Sequence, residues 1–210
     1  MAAKSAAGLL TSVDNMFTTQ EERDNAGRTF LIDLNPAEIS DFPNHPFQVR
    51  MDEEMERLVE SVKERGVLSP VLVRPMPDGS YQMVSGHRRK RAAELAEQPT
   101  LSCIVRELTD DEAIIILVDS NLQREKVLPS EKAFAYRMKL DAMKRQGQRT
   151  DLTSSPLDNK LKGTTSAQQI SQKSGDSQPQ IYRYIRLTEL VPEILQMVDE
   201  RQIAFRPAVE

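Results

Sequence analysis

The 210 residues are enough for two small domains, each with a modest core of its own. A hydrophobic content of 39% with 29% charged residues excludes wholesale disorder, and the longest apolar run, Ala113–Val118, is too short to span a bilayer, which argues against an integral membrane protein. The formal net charge of −4 argues against indiscriminate binding of polyanions by the whole molecule.

The N-terminal part of the chain predicts a tail, a strand and a loop. Residues 1–25 are small and polar apart from a weak apolar cluster at Leu9–Phe17 with near-helical spacing, so we expect a flexible tail that holds at most a short amphipathic helix for a partner. Thr29–Ile32 predicts a strand. Asn35–Pro46 contains three prolines and predicts a loop.

An amphipathic helix and a hairpin follow the loop. Within Asp52–Arg65 the apolar residues recur with the period of a helix, and Gly66 marks the expected end of that helix. Val71–Val73 and Tyr81–Val84 predict two strands, one on each side of a Pro77–Gly79 turn.

The segment after the hairpin carries the first functional signal. Gly86 is followed at once by His87, Arg88 and Arg89, and we expect a basic helix that runs to about Glu97. Free backbone N–H groups at a helix start, the helix dipole and adjacent guanidinium groups all favour a bound phosphate. On charge alone, a solvated helix face or a loose nucleic-acid patch explains the same residues. The position directly after a strand favours the phosphate site.

The next elements complete an α/β domain that ends near Val127. Leu101–Val105 predicts a strand that holds the single cysteine, Cys103, as a buried structural thiol, and one cysteine favours a reducing cytoplasm. Thr109, with Glu112 three residues later, forms a capping box that starts the next helix.

The end of that helix offers oxygen ligands. Asp119, Asn121 and Glu125 lie close together in sequence, and their side chains suit a divalent metal on a phosphate chain. In a structural alternative, Asn121 ends the helix, Arg124 pairs with an acidic neighbour and the segment is a hinge between two domains. The two roles are compatible, because a ligand bound at a hinge favours one arrangement of the domains.

The second half of the chain predicts helices without strands. Ser130–Arg145 predicts a helix with Phe134, Met138 and Leu140 among its buried residues. Gln146–Gly163 is polar, with two glycines and one proline, and predicts a long mobile loop.

A helix-turn-helix pattern occupies residues 166–187. Thr165 and Gln168 form a second capping box, Gly175 suits the turn, and Ser177 begins the second helix. The residues expected to contact DNA are Thr165, Ser166, Lys173, Ser177, Gln178, Gln180, Tyr182 and Arg183. An ordinary helical hairpin is the alternative, but residues 126–186 hold 12 basic and 5 acidic side chains, which favours DNA contact in this region.

Three segments together resemble one protein family. Tyr81–Ala96, the preceding Val71–Pro75 and the later Ser120–Glu125 resemble the N-terminal domain of ParB-type chromosome and plasmid partition proteins, and the resemblance extends from about Thr29 to the end of the chain. It implies a flexible tail, then an α/β domain of the ParB/sulfiredoxin-like type, then an all-α helix-turn-helix domain. The expected bounds of these three parts are 1–25, 26–127 and 128–210.

The resemblance also implies a function. Such proteins segregate DNA: they bind a palindromic, centromere-like site on double-stranded DNA and are switched by CTP, with Mg²⁺, into a clamp. The matching nucleotide-binding positions are Gly86, Arg88, Arg89 and Asn121, with Asn121 also a ligand of the metal. The family has glutamate where this chain has His87 and Ser120, so we expect at most a slow Mg²⁺-dependent hydrolysis of CTP.

The resemblance further implies partners and a location. The tail at 1–25 is expected to recruit a ParA-type ATPase, and the protein to form a homodimer or clamp in the cytoplasm, on the nucleoid or a plasmid and not on a membrane. Family members usually continue into a C-terminal dimerisation domain, which this chain is expected to lack. The alternatives are a ParB-like nuclease, for which no convincing carboxylate cluster is found, and a nucleotide-independent helix-turn-helix regulator of transcription. A sulfiredoxin would need cysteine in place of His87.

Overall fold

The computed structural model describes residues 30–124, 126–153 and 165–210. The predicted tail at 1–25, Glu125 and residues 154–163 of the predicted loop lie outside this part of the chain. The remaining predicted elements can each be compared with an observed one.

A five-stranded mixed sheet forms the first half of the molecule. Its strands are β1 (Phe30–Leu34), β2 (Ile39–Ser40), β3 (Val71–Pro75), β4 (Tyr81–Ser85) and β5 (Leu101–Val105). The spatial order is β1-β5-β3-β4-β2, with β2/β4 and β3/β5 parallel and the other two pairs antiparallel. The four longer strands confirm the predictions. The short β2 lies inside the segment predicted as a loop and was missed.

Three helices cover the two faces of this sheet. They are α1 (Glu53–Arg65), α2 (His87–Leu95) and α3 (Asp110–Leu122). Asp52 caps α1, and α1 ends at Gly66, whose φ of 70° is in the left-handed region that favours glycine. The predicted capping box of Thr109 and Glu112 is present at the start of α3. All three helices confirm the predictions, although α2 ends two residues before the expected Glu97.

Alternating side chains on the strands supply a core on each face of the sheet. Met83 packs on one face with the fully buried Cys103 and with Ala93 of α2, which confirms the predicted structural thiol. Val84, the next residue, packs on the other face with Leu117 of α3. α2 and α3 therefore lie on opposite sides of β4, and the turn between β4 and α2 is at the edge of both cores.

Five helices make up the described part of the second half, residues 126–153 and 165–210. They are α4 (Pro129–Thr153), α5 (Ser166–Ser174), α6 (Gln178–Arg186), α7 (Pro192–Asp199) and α8 (Phe205–Val209), with a 3-10 turn at Leu187–Glu189. Within the described ranges, none of the helices is both long enough and apolar enough to cross a membrane.

Two expectations about α4 were wrong. The helix does not end at Arg145 but continues through Gly147 to Thr153, because one glycine costs a long helix only about 1 kcal/mol relative to alanine. Phe134 is 45% exposed, whereas Tyr136 and Leu140 are buried. The buried face of α4 includes Tyr136 and Leu140 but not Phe134. The Phe134 side chain therefore faces outward.

Candidate nucleotide site and candidate DNA interface

The turn between β4 and α2 requires glycine. Gly86 has φ 110° and is the N-cap of α2. A Cβ atom at this position would lie 2.6 Å from Cγ1 of Val71, so the close approach of β3 excludes any side chain. No side chain caps α2. The N–H of Arg89 donates to the carbonyl of Gly86 at 2.8 Å, so the N–H groups of His87 and Arg88 are the ones that remain available to an anion.

Arg88 reaches from α2 into a charged cleft. Its guanidinium donates to Oε2 of Glu54 at 3.1 Å and to Oδ1 of Asp52 at 3.3 Å. The cleft has a volume of about 530 Å³, and its lining residues are Gln48, Arg50, Asp52, Glu53, Glu54, Arg88, Arg124, Lys126 and Glu131. Four cations and four carboxylates thus face one space. An anionic ligand that replaced the carboxylates as partner of the arginines would be held by charge-assisted hydrogen bonds.

Arg89 lies beside Arg88 in sequence but not in this cleft. Its Nη1 donates to the backbone carbonyls of Ser69 and Pro70, at 2.8 and 2.7 Å. Partial burial lowers the pKa of its guanidinium. Arg89 therefore ties α2 to the segment before β3, whereas Arg88 is the arginine of this pair that lines the cleft.

His87 is buried between its neighbours. Its ring lies against that of His45, with 4.0 Å between the centroids, and its pKa is lowered to about 3, chiefly because burial disfavours the charged form. The pKa of His45 is lowered for the same reason, and its Nδ1 lies 2.6 Å from the carbonyl of Phe47. Both imidazoles are therefore neutral at neutral pH. No sequence pattern predicts that His45 pairs with His87.

Asn121 has one free buried acceptor. Its Nδ2 donates to the carbonyl of Leu117 at 2.8 Å, and its Oδ1 has no partner. Among the described side chains, the buried polar atoms without a hydrogen bond are this oxygen, Nε2 of His45 and both ring nitrogens of His87. Buried polar atoms without a hydrogen bond are costly, so their occurrence in His87 and Asn121, both in the predicted nucleotide box, suits a site that acquires a ligand.

Asn121 offers a metal ion one buried oxygen that has no hydrogen bond. Mg²⁺ prefers oxygen ligands, and Oδ1 of Asn121 supplies one. Of the two acidic residues predicted to offer oxygen ligands here, Glu125 lies outside the described residues and Asp119 is already paired with Lys139 and Lys173. The Ser120 hydroxyl donates to the carbonyl of Leu117. Within the described chain, no three His, Cys, Asp or Glu side chains are grouped to hold a metal. Phosphate oxygens and water would complete the shell.

Several lining residues were missed by the sequence analysis. The sequence suggests Arg124 only as a salt-bridge residue of a hinge, but the structure places it in the cleft. Its guanidinium lies 6.0 Å from the ring centroid of Phe47. Its position one helical turn after Asn121 was the available signal. Gln48 and Arg50 come from the segment before α1. No sequence signal indicates them, because only the fold brings that segment close to α2 and α3.

Two helices joined by a turn, α5 and α6, occupy the segment that is predicted as a helix-turn-helix. α5 and α6 are joined by a turn in which Gly175 has φ 77°. Ile170 and Ile181, one from each helix, are fully buried against Tyr136 of α4. Asp176 in the turn accepts hydrogen bonds from Lys132 and from the Tyr136 hydroxyl, both on α4. Both α5 and α6 therefore pack against α4.

The structure brings the starts of α5 and α6 together. The capping box of Thr165 and Gln168 is present, and Nε2 of Gln178 donates to Oγ1 of Thr165 at 3.1 Å. Ser177 is the N-cap of α6, as expected, but its hydroxyl makes no capping bond. Beside them, Ser166 begins α5.

The remaining predicted DNA contacts differ in what they touch. Tyr182 and Arg183 are exposed on α6, and Gln180 is partly exposed on the same helix. Lys173 sits at the end of α5 with its Nζ 3.5 Å from Asp119 of α3. A phosphate contact by Lys173 would therefore compete with an ion pair to the first half of the molecule.

Residues 19–122 match the family model described as ParB N-terminal domain. The chain is 31% identical over 173 residues to the chromosome-partitioning protein Spo0J of Thermus thermophilus and 36% identical over 165 residues to the stage 0 sporulation protein J of Bacillus subtilis. These alignments include 82% and 77% of this chain but 56% and 51% of the relatives. The chain thus spans about half the length of these curated relatives.

A solved structure resembles the chain over most of its length. It is the C-terminally truncated chromosome-partitioning protein ParB from Caulobacter crescentus, complexed to the centromeric parS site. The TM-score is 0.53 and the sequence identity 26%, and the match covers 85% of this chain and 82% of the other.

Proposed function

The chain belongs to the ParB family, and on that premise we propose that it is a DNA-segregation protein, which binds a centromere-like site through α5 and α6 and is switched by CTP into a clamp. The observation that carries the proposal is the position of the charged cleft. Arg88 of α2 faces Glu131 of α4 across it, and α4 supports the helix-turn-helix. A nucleotide in the cleft would contact both halves of the molecule.

The cleft suits a triphosphate because its cations come from three different segments. Arg50, Arg88 and Arg124 converge from the stretch before α1, from α2 and from the end of α3. The uncapped start of α2 would add backbone N–H donors, and Oδ1 of Asn121 would hold the Mg²⁺ of the nucleotide. Preference for cytosine over other bases rests on the family alone.

A bound nucleotide would also change the ion pairs that now span the cleft. Glu131 accepts from the backbone N–H of Gln48 at 3.1 Å and lies 3.5 Å from Arg50, so the first turn of α4 is tied to the segment before α1. Phosphates that took Arg50 as their partner would loosen that tie. A ligand can shift the equilibrium between two domain arrangements only if its contacts differ between them. The contact between Arg50 and Glu131 would be one that changes.

Hydrolysis of CTP, if it occurs, is expected to be slow. His87 is a neutral, buried imidazole at the position where the family has glutamate, and it provides no negative charge to orient a water molecule. Replacement of His87 by glutamate should raise the turnover of CTP while leaving its binding nearly intact. A fast phosphate release by the unmodified chain would contradict this assignment.

The DNA target is proposed to be a palindrome, because two protomers related by a two-fold axis present two copies of α6. The start of α6 would enter the major groove, with Gln178 and Gln180 as base contacts and Thr165 and Ser166 beside the backbone. We further propose that the protein acts as a homodimer and that its tail at 1–25, which lies outside the described residues, engages a ParA-type ATPase.

Calorimetric titration with CTP, ATP and GTP, with and without Mg²⁺, tests the nucleotide site. Preferential, Mg²⁺-dependent binding of CTP is expected. A mobility-shift titration against a palindromic parS duplex and a mixed-sequence duplex, with and without CTP, then tests the switch. DNA binding without any nucleotide binding would instead support a plain helix-turn-helix regulator, and cleavage of the duplex would support a nuclease.

A further inference from the structure

Three arginines converge on a second cleft, at the far end of α6. Arg183 and Arg186 lie on the last turn of α6, and Arg206 approaches them from α8. The cleft has a volume of about 390 Å³ and is completed by Val209 and Glu210. None of the sequence signals pointed to Arg186 or Arg206, and Arg183 had been predicted only as a contact to a base or a phosphate.

Apolar packing fixes the positions of these arginines. Phe205, next to Arg206, packs on Tyr184 of α6 with 4.7 Å between the ring centroids. Val209 is buried with Leu187, at the end of α6, in a core shared with α4. The two helices are therefore held together by their hydrophobic faces, and their charged side chains share the opposite, exposed side.

The three arginines of this cluster lack the carboxylate partners that several other arginines of the described chain have. Elsewhere Arg57, Arg88 and Arg91 each have a carboxylate partner within 4.0 Å. Arg183, Arg186 and Arg206 have neither an ion pair nor a hydrogen bond to any described residue, and all three are exposed. Three like charges around one cleft repel each other unless an anion lies between them.

We propose that Arg183, Arg186 and Arg206 form one binding site for the phosphate backbone of duplex DNA. The assignment rests on the proposed DNA-binding function and adds to it a second contact region, outside the start of α6. The guanidinium fork matches phosphate oxygens, so an arginine cluster suits a phosphodiester better than a single carboxylate.

The geometry of α6 separates these arginines from the bases. Gln178 and Arg186 are eight residues apart, about 12 Å along a helix, which is about the width of the major groove. When the first turn of α6 contacts base edges, its last turn reaches the rim of the groove, where the phosphates lie. Arg183 and Arg186 are then backbone contacts, and α8 extends the contact by one further arginine.

Fluorescence anisotropy across a range of salt concentrations tests the site. R186Q and R206Q are compared with R57Q, a matched control on α1 that removes the same charge from an exposed side chain. The two probes are a palindromic parS duplex and a mixed-sequence duplex of the same length. Each cleft variant should lower the slope of log K against log salt by about 0.9 and weaken both duplexes by the same factor, whereas R57Q should change neither.

Two results would overturn the assignment. One is an R206Q variant that keeps both its circular dichroism spectrum and the salt slope of the unmodified protein. The other is an R183Q variant that weakens the parS duplex alone, which would make Arg183 a base contact. If the unmodified chain bound neither duplex, the proposed DNA-binding function itself would fail, and that outcome is distinct from a failure confined to the arginine variants.

Discussion

Arg88 and Arg89 occupy adjacent positions on α2 and have different surroundings. Arg88 contacts the carboxylates of Asp52 and Glu54 inside the cleft, and these partners can be exchanged for phosphates. Arg89 holds two backbone carbonyls before β3, and removing it would leave those acceptors without a partner. The two arginines therefore make separable contributions to ligand binding and to stability.

Replacement of Arg88 by alanine should weaken CTP binding by roughly 1.5–3 kcal/mol, or about ten- to a hundredfold, with little change in the free energy of unfolding. Replacement of Arg89 by alanine should instead lower stability by about 1 kcal/mol or more and affect CTP binding less than R88A does, because Arg89 lies outside the cleft. Calorimetric titration and urea denaturation of both variants make the comparison. Unchanged CTP affinity in R88A would remove Arg88 from the proposed site.

The pair of His45 and His87 predicts a pH dependence of folding. The pKa of His87 falls from its ordinary value of 6.5 to about 3, so below pH 6.5 the unfolded chain binds a proton that the folded chain does not. Stability should therefore decrease as the pH falls, by about 2 kcal/mol between about pH 7 and about pH 5. The lowered pKa of His45 acts in the same direction. The nearby Asp41 opposes this effect on His87, while Lys90 and Arg124 add to it.

Urea denaturation at several pH values measures this effect. H87Q keeps a polar side chain of similar length but does not titrate, so its stability should depend less steeply on pH between 5 and 7. Identical pH profiles for H87Q and the unmodified chain would show that His87 does not contribute to the linkage.

At the scale of elements, the turn from β4 into α2 can be tested with two glycines. Gly86 and Gly79 both have positive φ, 110° and 84°, but only at Gly86 would a Cβ collide with a neighbour, Val71. G79A should cost about 1–2 kcal/mol from backbone strain alone. G86A should cost roughly 1–3 kcal/mol more, because β3 and α2 must also separate. Equal losses in urea denaturation would argue against the close packing of this turn.

Much of the element pattern was predictable because its signals are local. The capping boxes at Thr109 and Thr165 are complete within four residues, and the four longer strands each show an apolar pattern bounded by turn residues. β2 was not predictable, since two residues, Ile39 and Ser40, have no periodicity and pair with β4 only through the tertiary fold. The end of α4 was misplaced because a single glycine costs a long helix only about 1 kcal/mol relative to alanine and does not stop it.

The candidate site was predictable only where it is contiguous in sequence. Gly86 and Arg88 belong to one short motif, so their proximity needs no fold. Arg50 and Arg124 are more than seventy residues apart and meet in the cleft through the packing of α1, α2 and α3. The stacking of His45 on His87 is also a long-range contact. Sequence patterns of period 2 or 3.6 contain no information about such pairs.

At the scale of the whole molecule, Asp119 joins the two halves. It lies on α3, pairs with the fully buried Lys139 of α4 and lies 3.5 Å from Lys173 of α5. Lys139 has almost no access to water, so its ammonium depends on this carboxylate for compensation. Lys173 is 66% exposed and depends on it far less.

Replacement of Asp119 by asparagine should therefore destabilise the protein by roughly 3 kcal/mol, because it leaves a buried ammonium without an opposite charge. K173Q should cost less than about 1 kcal/mol. Combining D119N with K139M removes the buried charge and should recover most of the loss, which thermal or urea unfolding would measure. A D119N variant as stable as K173Q would show that Lys139 finds compensation elsewhere.

The uninterrupted length of α4 has a mechanical consequence. Its 25 residues form a rod about 37 Å long, with Glu131 of the first turn at the charged cleft and Tyr136 and Leu140 packed against α5 and α6. A tilt of about 10° about the first turn would displace Leu140, about 13 Å along the rod, by roughly 2 Å, and the opposite end by roughly 6 Å. A lever of this kind amplifies a small motion, so in the proposed switch a slight rotation of the first turn of α4 would move the two helices that pack on Leu140.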